Sequence, residues 1–371
     1  MFGASFGLET ALWYAPPGME PVETPSYRRS NAFPVVREEC LAVRNAVGLM
    51  EISGFGKYEI SGPGTADWLD RLLASRLPKP GRMTLAPMLN PRGTIMGDFS
   101  LARLAPERFL MVGSGAAEIF HMRWFERQGI PSTVQLRPMA GTLTGFMIAG
   151  PQARTLLARL VREDVRNAAF PFFAVREMVV GMAPCIVARA SYTGDLGYEI
   201  WTTPDYQLAL HEALVEAGAD LGLRHFGNRA LMSLRLEKGY GAFLREFRPD
   251  YTPMESGLDR FVAYDKPDFI GREAALADRA RAPSRRLVPL VVDTDVEVVG
   301  YESILKDGAP VGQVTSGGYA HWAGHSLAMG YVAAEHAIDG AGFEIRIFEQ
   351  IRPARIRLAP FFDANGGRQR G

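Results

Sequence analysis

The sequence predicts an α+β fold that ends in a separate β module, and three observations carry that expectation. Helix-like and strand-like segments follow one another without the regular strand-helix alternation of a doubly wound fold. At 371 residues the chain exceeds a usual single domain and has the volume for several cores. Around residue 281 a polar, proline-bearing break, Arg281-Ala282-Pro283-Ser284-Arg285-Arg286, precedes a strand-rich, glycine-punctuated stretch that runs to about Phe361.

In chain order, residues 1–30 are rich in Pro, Gly and aromatics without periodicity, which predicts an extended arm docked on something. Residues 32–50 have helical spacing. Strands follow at 57–60 and 99–104, with helices at 65–74 and 116–128. A second set comprises strands at 145–149, 185–191 and 199–202 and helices at 153–160 and 206–217. The division expected is an arm (1–30), α+β domains (31–280) and a terminal β domain (281–371).

Composition narrows the function classes. The 41 basic and 41 acidic residues cancel, so global charge gives no case for nucleic acid or a membrane surface as partner. The most apolar stretch, residues 179–190, is broken by Gly181 and Pro184 and is too short to span a bilayer. No basic leader is followed by an apolar run, and Cys40 and Cys185 form no metal or redox spacing, so a soluble, reduced, cytoplasmic setting is the expectation. His321 and His325 are an i,i+4 pair, but glycines surround them and no third ligand is near, which predicts ordinary surface histidines on a loop and no metal site.

Two stretches set an acid beside a glycine turn. In Gly93-Thr94-Ile95-Met96-Gly97-Asp98, Asp98 follows the turn and precedes an alternating strand that begins at Phe99. In Tyr192-Thr193-Gly194-Asp195-Leu196-Gly197-Tyr198-Glu199-Ile200, a two-glycine turn leads to a strand whose alternation sends Tyr198 and Glu199 to opposite faces. Either acid alone reads first as a turn former bonded to its own backbone. Two carboxylates at strand ends suit an NH-rich heterocycle or an amine.

A third segment, Gly227-Asn228-Arg229-Ala230-Leu231-Met232-Ser233-Leu234-Arg235-Leu236-Glu237-Lys238-Gly239-Tyr240, completes an ordered set. The set also holds Met50-Glu51-Ile52-Ser53, Met88-Leu89-Asn90-Pro91-Arg92-Gly93, Asp268-Phe269-Ile270-Gly271-Arg272 and Val311-Gly312-Gln313-Val314-Thr315-Ser316-Gly317-Gly318-Tyr319. Over nearly its whole length the chain resembles the folate-binding aminomethyltransferase family, which includes the glycine cleavage T-protein and the folate-binding halves of dimethylglycine and sarcosine dehydrogenases. Arg245-Glu246-Phe247-Arg248-Pro249 and the opening Phe6-Gly7-Leu8-Glu9-Thr10-Ala11-Leu12-Trp13-Tyr14 look closer to the dehydrogenase halves.

The resemblance implies two interlocked α+β domains and a C-terminal β-barrel around a central cavity for tetrahydrofolate. It implies that Asp98 is the catalytic carboxylate near N10, that Glu199 grips the pterin edge, that Tyr192 is a neighbouring pterin contact, and that Arg229 lies near the benzoyl-glutamate portion. From the residues alone Arg229 also reads as an ion pair on a core-packed helix; Tyr240 is a further candidate for the cavity lining. The chain departs from the T-protein pattern at Gly97, where an aspartate is common, and at Leu85, where a tyrosine is common.

The activity implied is capture of an iminium or formaldehyde unit, from a methylated amine as small-molecule one-carbon donor, as 5,10-methylenetetrahydrofolate. Folate-dependent O- or S-demethylation giving 5-methyltetrahydrofolate, and a non-catalytic folate-binding scaffold, are the alternatives. No Gly-x-Gly-x-x-Gly opens a strand-to-helix unit, so flavin or monooxygenase chemistry is expected of a partner, with the aromatic arm as a candidate docking surface.

Overall fold

The computed structural model describes residues 1–5 and 8–371. Phe6 and Gly7, which open the motif that ends at Tyr14, lie outside the described residues.

The first long helix, Phe33–Asn45, has Pro34 in its first turn, where a missing N–H costs nothing, and buries Val35, Val36, Glu39, Cys40 and Val43 along one stripe. It stops five residues before the predicted end. Val47–Glu51 is a strand instead, held antiparallel to Thr144–Ala149 and parallel to Leu223–His225. A short apolar run that is buried on both faces carries no periodicity to separate strand from helix, which is why the sequence misleads here. Gly48 makes the crossing possible: a Cβ there would stand 2.4 Å from the Val43 side chain and 2.6 Å from the Phe226 ring.

That strand belongs to a six-stranded sheet, in the order Val175–Val180, Ala183–Ala188, Gly197–Thr202, Thr144–Ala149, Val47–Glu51, Leu223–His225. The chain then leaves to build an antiparallel five-stranded sheet, Arg82–Leu89, Ile95–Ala105, Arg108–Gly113, Gly56–Ser61, Gln135–Pro138, before returning. The two α+β units are therefore interlocked. Their sheet edges also join, Met83 N–H donating to the Phe173 carbonyl at 2.9 Å and Val175 N–H to the Gly81 carbonyl at 3.0 Å.

Each sheet carries helices on its outer face. Trp68, Leu69, Leu72 and Phe125 pack on Tyr58, Phe99, Leu101 and Met111 of the five-stranded sheet. Leu156, Leu157, Leu210 and Leu214 pack on Ile148, Val187, Tyr198 and Ile200 of the other. The inner faces meet in a third core that holds Met83, Ala102 and Leu110 from one sheet and Met50, Met147, Ala188 and Trp201 from the other. Burial of the methionine and leucine side chains among these contributes about 1.5–3 kcal/mol each, so the facing of the two sheets is fixed by their apolar rows.

The terminal module is a closed six-stranded barrel, Arg285–Val292, His325–Ala333, Ala309–Ala320, Ser303–Lys306, Gly342–Ile347, Gln350–Ile356, filled by Val288, Leu290, Ile304, Val314 and Ile345. His321 and His325 flank the turn between two of its strands. His321 is buried against Phe33 and Tyr319, so the reading of both as surface histidines fails for this one, whereas His325 is exposed. The arm forms the strand pair Phe2–Ser5 and Leu8–Ala11 and then docks on the chain itself: Trp13 is fully buried, and Glu297 N–H donates to the Tyr27 carbonyl at 2.9 Å. Among the described residues no helix is long and apolar enough to cross a membrane, and no group of three or more His, Cys, Asp or Glu could hold a metal ion.

Candidate functional site

Asp98 lies within the strand Ile95–Ala105, opposite Pro87, and not ahead of the strand as the sequence suggested. The glycine before it explains the placement. A Cβ at Gly97 would stand 2.6 Å from the Phe99 ring and 3.0 Å from His121 Nε2, so Phe99 and the buried His121 fill the outer side of the strand. That is why an aspartate has no room at Gly97. Phe99 and Leu101 point to the outer core, while Asp98 and Ala102 point to the inner face. His121 is uncharged at neutral pH, because burial pushes its imidazole down to about 4.

Glu199 occupies the matching position on the other sheet. It sits in a row with Ala188, Met147 and Met50, all in the inner core, while its neighbour Tyr198 stacks on Phe170 at 6.0 Å on the outer side. The two acids thus stand on sheet faces that are turned toward each other. Both keep partial solvent contact although protein encloses them densely.

Their electrostatics follow from that enclosure. Burial pushes the Asp98 carboxyl up to about 8; its own backbone N–H pulls the other way and Glu246 adds to the rise. Glu199 is pushed up to about 7 by burial, with the Trp201 indole opposing. Among the described residues, no cation belongs to the groups that set either value. Carboxylates without cationic partners are poised to take protons or N–H donors from a ligand.

Tyr192 joins them. Burial raises its phenol far above the usual range, and Arg235, Glu246 and Asp98 are among the charges that act on it. Its hydroxyl donates to the Gly241 carbonyl at 2.6 Å, and its ring stacks on Tyr240 at 6.0 Å with 19° between planes. Arg229 stands apart. It opens the helix Asn228–Lys238 and pairs with Glu23 of the arm at 2.7 Å, whereas Tyr240 follows the other end of that helix. At 1.5 Å per residue the two helix ends are about 15 Å apart, a span that suits a ligand with a ring at one end and a carboxylate tail at the other.

Two buried ionic networks hold these parts. Arg44 donates to Glu237 at 2.7 Å, to Asp195 at 3.1 Å and to the Thr193 carbonyl at 2.9 Å, which fixes the turn ahead of Glu199 to the first long helix. Glu246 receives Arg235 at 3.0 Å, Ala242 N–H at 2.9 Å, Thr315 Oγ1 at 2.7 Å and the Ser316 hydroxyl, tying the barrel to the loop that holds Tyr192. Sequence reasoning quoted Glu246 within a motif without assigning it, and it missed Arg44; neither has local spacing that marks it, since each finds its partners across distant segments.

Comparison with known proteins agrees with this architecture. The GCVT N-terminal domain family matches residues 1–266, and the glycine cleavage T-protein C-terminal barrel domain family matches residues 285–363. Mitochondrial dimethylglycine dehydrogenase of Rattus norvegicus is 34% identical over 362 residues, which cover 96% of this chain and 42% of that protein. The chain therefore spans under half the length of that relative. The aminomethyltransferase of Desulforamulus reducens is 31% identical over 328 residues, covering 86% of this chain and 88% of that protein. The crystal structure of glycine cleavage system aminomethyltransferase T from Bartonella henselae superposes with a TM-score of 0.85 at 26% identity, covering 98% of this chain and 94% of that one. The chain belongs to the glycine cleavage T-protein family, which includes aminomethyltransferases.

Proposed function

We propose that this chain transfers a one-carbon unit to tetrahydrofolate, capturing an iminium or formaldehyde equivalent released by demethylation of a methylated amine as 5,10-methylenetetrahydrofolate. The observation that carries the reading is the pair Asp98 and Glu199 on opposed sheet faces, both reached by solvent and, among the described residues, both without a cationic partner. Those residues fit the group: tetrahydrofolate supplies two amines, N5 and N10, that together hold the carbon. Glu199 accepts N–H bonds from the heterocycle edge, and Tyr192 with Tyr240 forms the aromatic wall beside it. Asp98 takes or returns a proton at its carboxylate as an amine near it gains or loses a bond, a role that its carboxyl at about 8 suits near neutral pH. Arg229 receives the terminal carboxylate once Glu23 releases it.

The likeness to dimethylglycine dehydrogenase supports a methylated amine as the carbon source, with a flavin enzyme or monooxygenase as the partner that oxidises it. Incubation of the chain with tetrahydrofolate and formaldehyde, followed by product separation, tests the reading. Formation of the 5,10-methylene product faster than the uncatalysed condensation is expected, with the acceleration lost in Asp98→Asn. A 5-methyl product from an O- or S-methyl donor, or no acceleration with any donor, would replace it with the demethylase or the scaffold reading.

A further inference from the structure

The last residues of the chain return from the barrel to the site. Phe362 N–H donates to the Glu237 carbonyl at 3.1 Å, Lys238 Nζ reaches Asp363 at 3.0 Å, and the short helix Gly367–Arg370 lies against the six-stranded sheet. Arg368 donates to Asp195 at 3.1 Å and to the Arg44 carbonyl at 2.6 Å, and Arg189 donates to the Arg370 carbonyl at 2.6 Å. These anchors place the segment independently of the residue between them.

That residue, Gln369, is 9% exposed and joins two separate segments of the site, the loop after the strand Ala183–Ala188 and the stretch just after the helix Asn228–Lys238. Its Nε2 donates to the Ser191 carbonyl at 3.2 Å, and its Oε1 accepts from the Tyr240 hydroxyl at 2.8 Å. A carbonyl only accepts, so Ser191 fixes the amide's orientation and leaves Oε1 to Tyr240. Ser191 precedes Tyr192, and Tyr192 in turn donates to the carbonyl of Gly241, the residue after Tyr240. The result is a closed ring of contacts around the stacked Tyr192 and Tyr240. Only a side chain that donates and accepts at once closes it; Glu lacks the donor and Lys the acceptor.

We propose that Gln369 is a positioning residue that fixes the stacked tyrosines against the heterocycle of the folate. The proposal rests on the folate reading above. Its test is calorimetric titration of tetrahydrofolate into the wild type, Glu199→Ala, Gln369→Met, Tyr240→Phe and the Gln369→Met/Tyr240→Phe double variant, beside thermal unfolding of each. Methionine keeps the volume of Gln369 without either bond. Gln369→Met is expected to weaken binding by about five- to tenfold, with the unfolding midpoint lowered only as far as the loss of its two internal hydrogen bonds requires and the variant still folded at the temperature of the titration. Because both single variants remove the same bond, the double variant is expected to bind no more weakly than the weaker single one. Undiminished affinity of Gln369→Met, or effects that multiply, overturns the proposal. Should Gln369→Met fail to fold, wild-type affinity in Tyr240→Phe overturns it. A wild type that binds no folate contradicts the folate reading itself, whereas binding that Glu199→Ala weakens and Gln369→Met leaves intact contradicts only the role of Gln369.

Discussion

Two pairs of buried acids in this molecule have opposite circumstances. Asp195 and Glu237 are wholly excluded from solvent and share one arginine, Arg44, which is itself fully buried and also bonds the Thr193 and Leu234 carbonyls. Burial raises both carboxyls, and Arg44 offsets part of the rise. Asp98 and Glu199 are enclosed as densely but keep contact with solvent, and no cation among the described residues compensates them. The first pair completes its bonding inside the protein, so it holds segments together. The second leaves its bonding open, as the proposed folate site requires. Burial alone does not separate a structural acid from a functional one; the partner does.

The largest effect that tests this contrast is expected at Arg44. Arg44→Met leaves Glu237 without its cationic partner and Asp195 with Arg368 alone, and should destabilise the fold by about 3–5 kcal/mol, read as a lower midpoint in chemical denaturation. An unchanged midpoint would remove the structural side of the comparison.

Asp98→Asn should do the reverse. Turnover is expected to fall by about 10²–10⁴, the usual worth of a positioned proton carrier, without loss of the fold. The sign of its stability effect follows from the shift. With a carboxyl near 8 in the folded chain against 3.8 unfolded, the folded state holds a proton over that interval, so Asp98 favours folding below about pH 4 and this contribution is lost as pH rises to about 8. Asparagine does not titrate, so the variant should be more stable than the wild type above pH 8, by about 1–3 kcal/mol after allowance for the solvent that Asp98 still meets. Unfolding midpoints at pH 5 and pH 9 check this; equal differences at both would contradict it.

At Glu199 the expectation concerns binding. Its carboxyl lies near 7, and acceptance of two N–H bonds needs the ionised form, so folate affinity should rise as pH rises through about 7 and flatten above it. Titrations between pH 6 and 8.5 measure that slope. The smallest effect belongs to Arg229, which is half exposed: Arg229→Ala should weaken binding by about threefold, and Glu23→Ala, which frees the guanidinium, should strengthen it by a similar factor.

Much of this could be read along the chain because the informative signals were local. The barrel announced itself through the break at Arg281 to Arg286 and the glycines after it, and Tyr198 and Glu199 alternate as a two-residue period requires. What the sequence hid depended on distant partners. The strand Val47–Glu51 looked helical because both of its faces are apolar, and its sheet neighbours come from nearly a hundred and nearly two hundred residues on. Arg44, Glu246 and Gln369 have no distinctive neighbours in sequence, and their meaning comes from the segments they join. His321 is misread for the same reason, since Phe33 covers it from the far end of the chain.

The central claim is that the open pair of acids forms a folate site. Calorimetric titration of the purified chain with tetrahydrofolate at pH 8, with Glu199→Ala run beside it, tests this most directly. The account predicts saturable binding at one site per chain, weakened about 10- to 100-fold in the variant, as loss of a charged hydrogen-bond acceptor requires. Absence of binding in the wild type, or equal affinity in the two proteins, would contradict it.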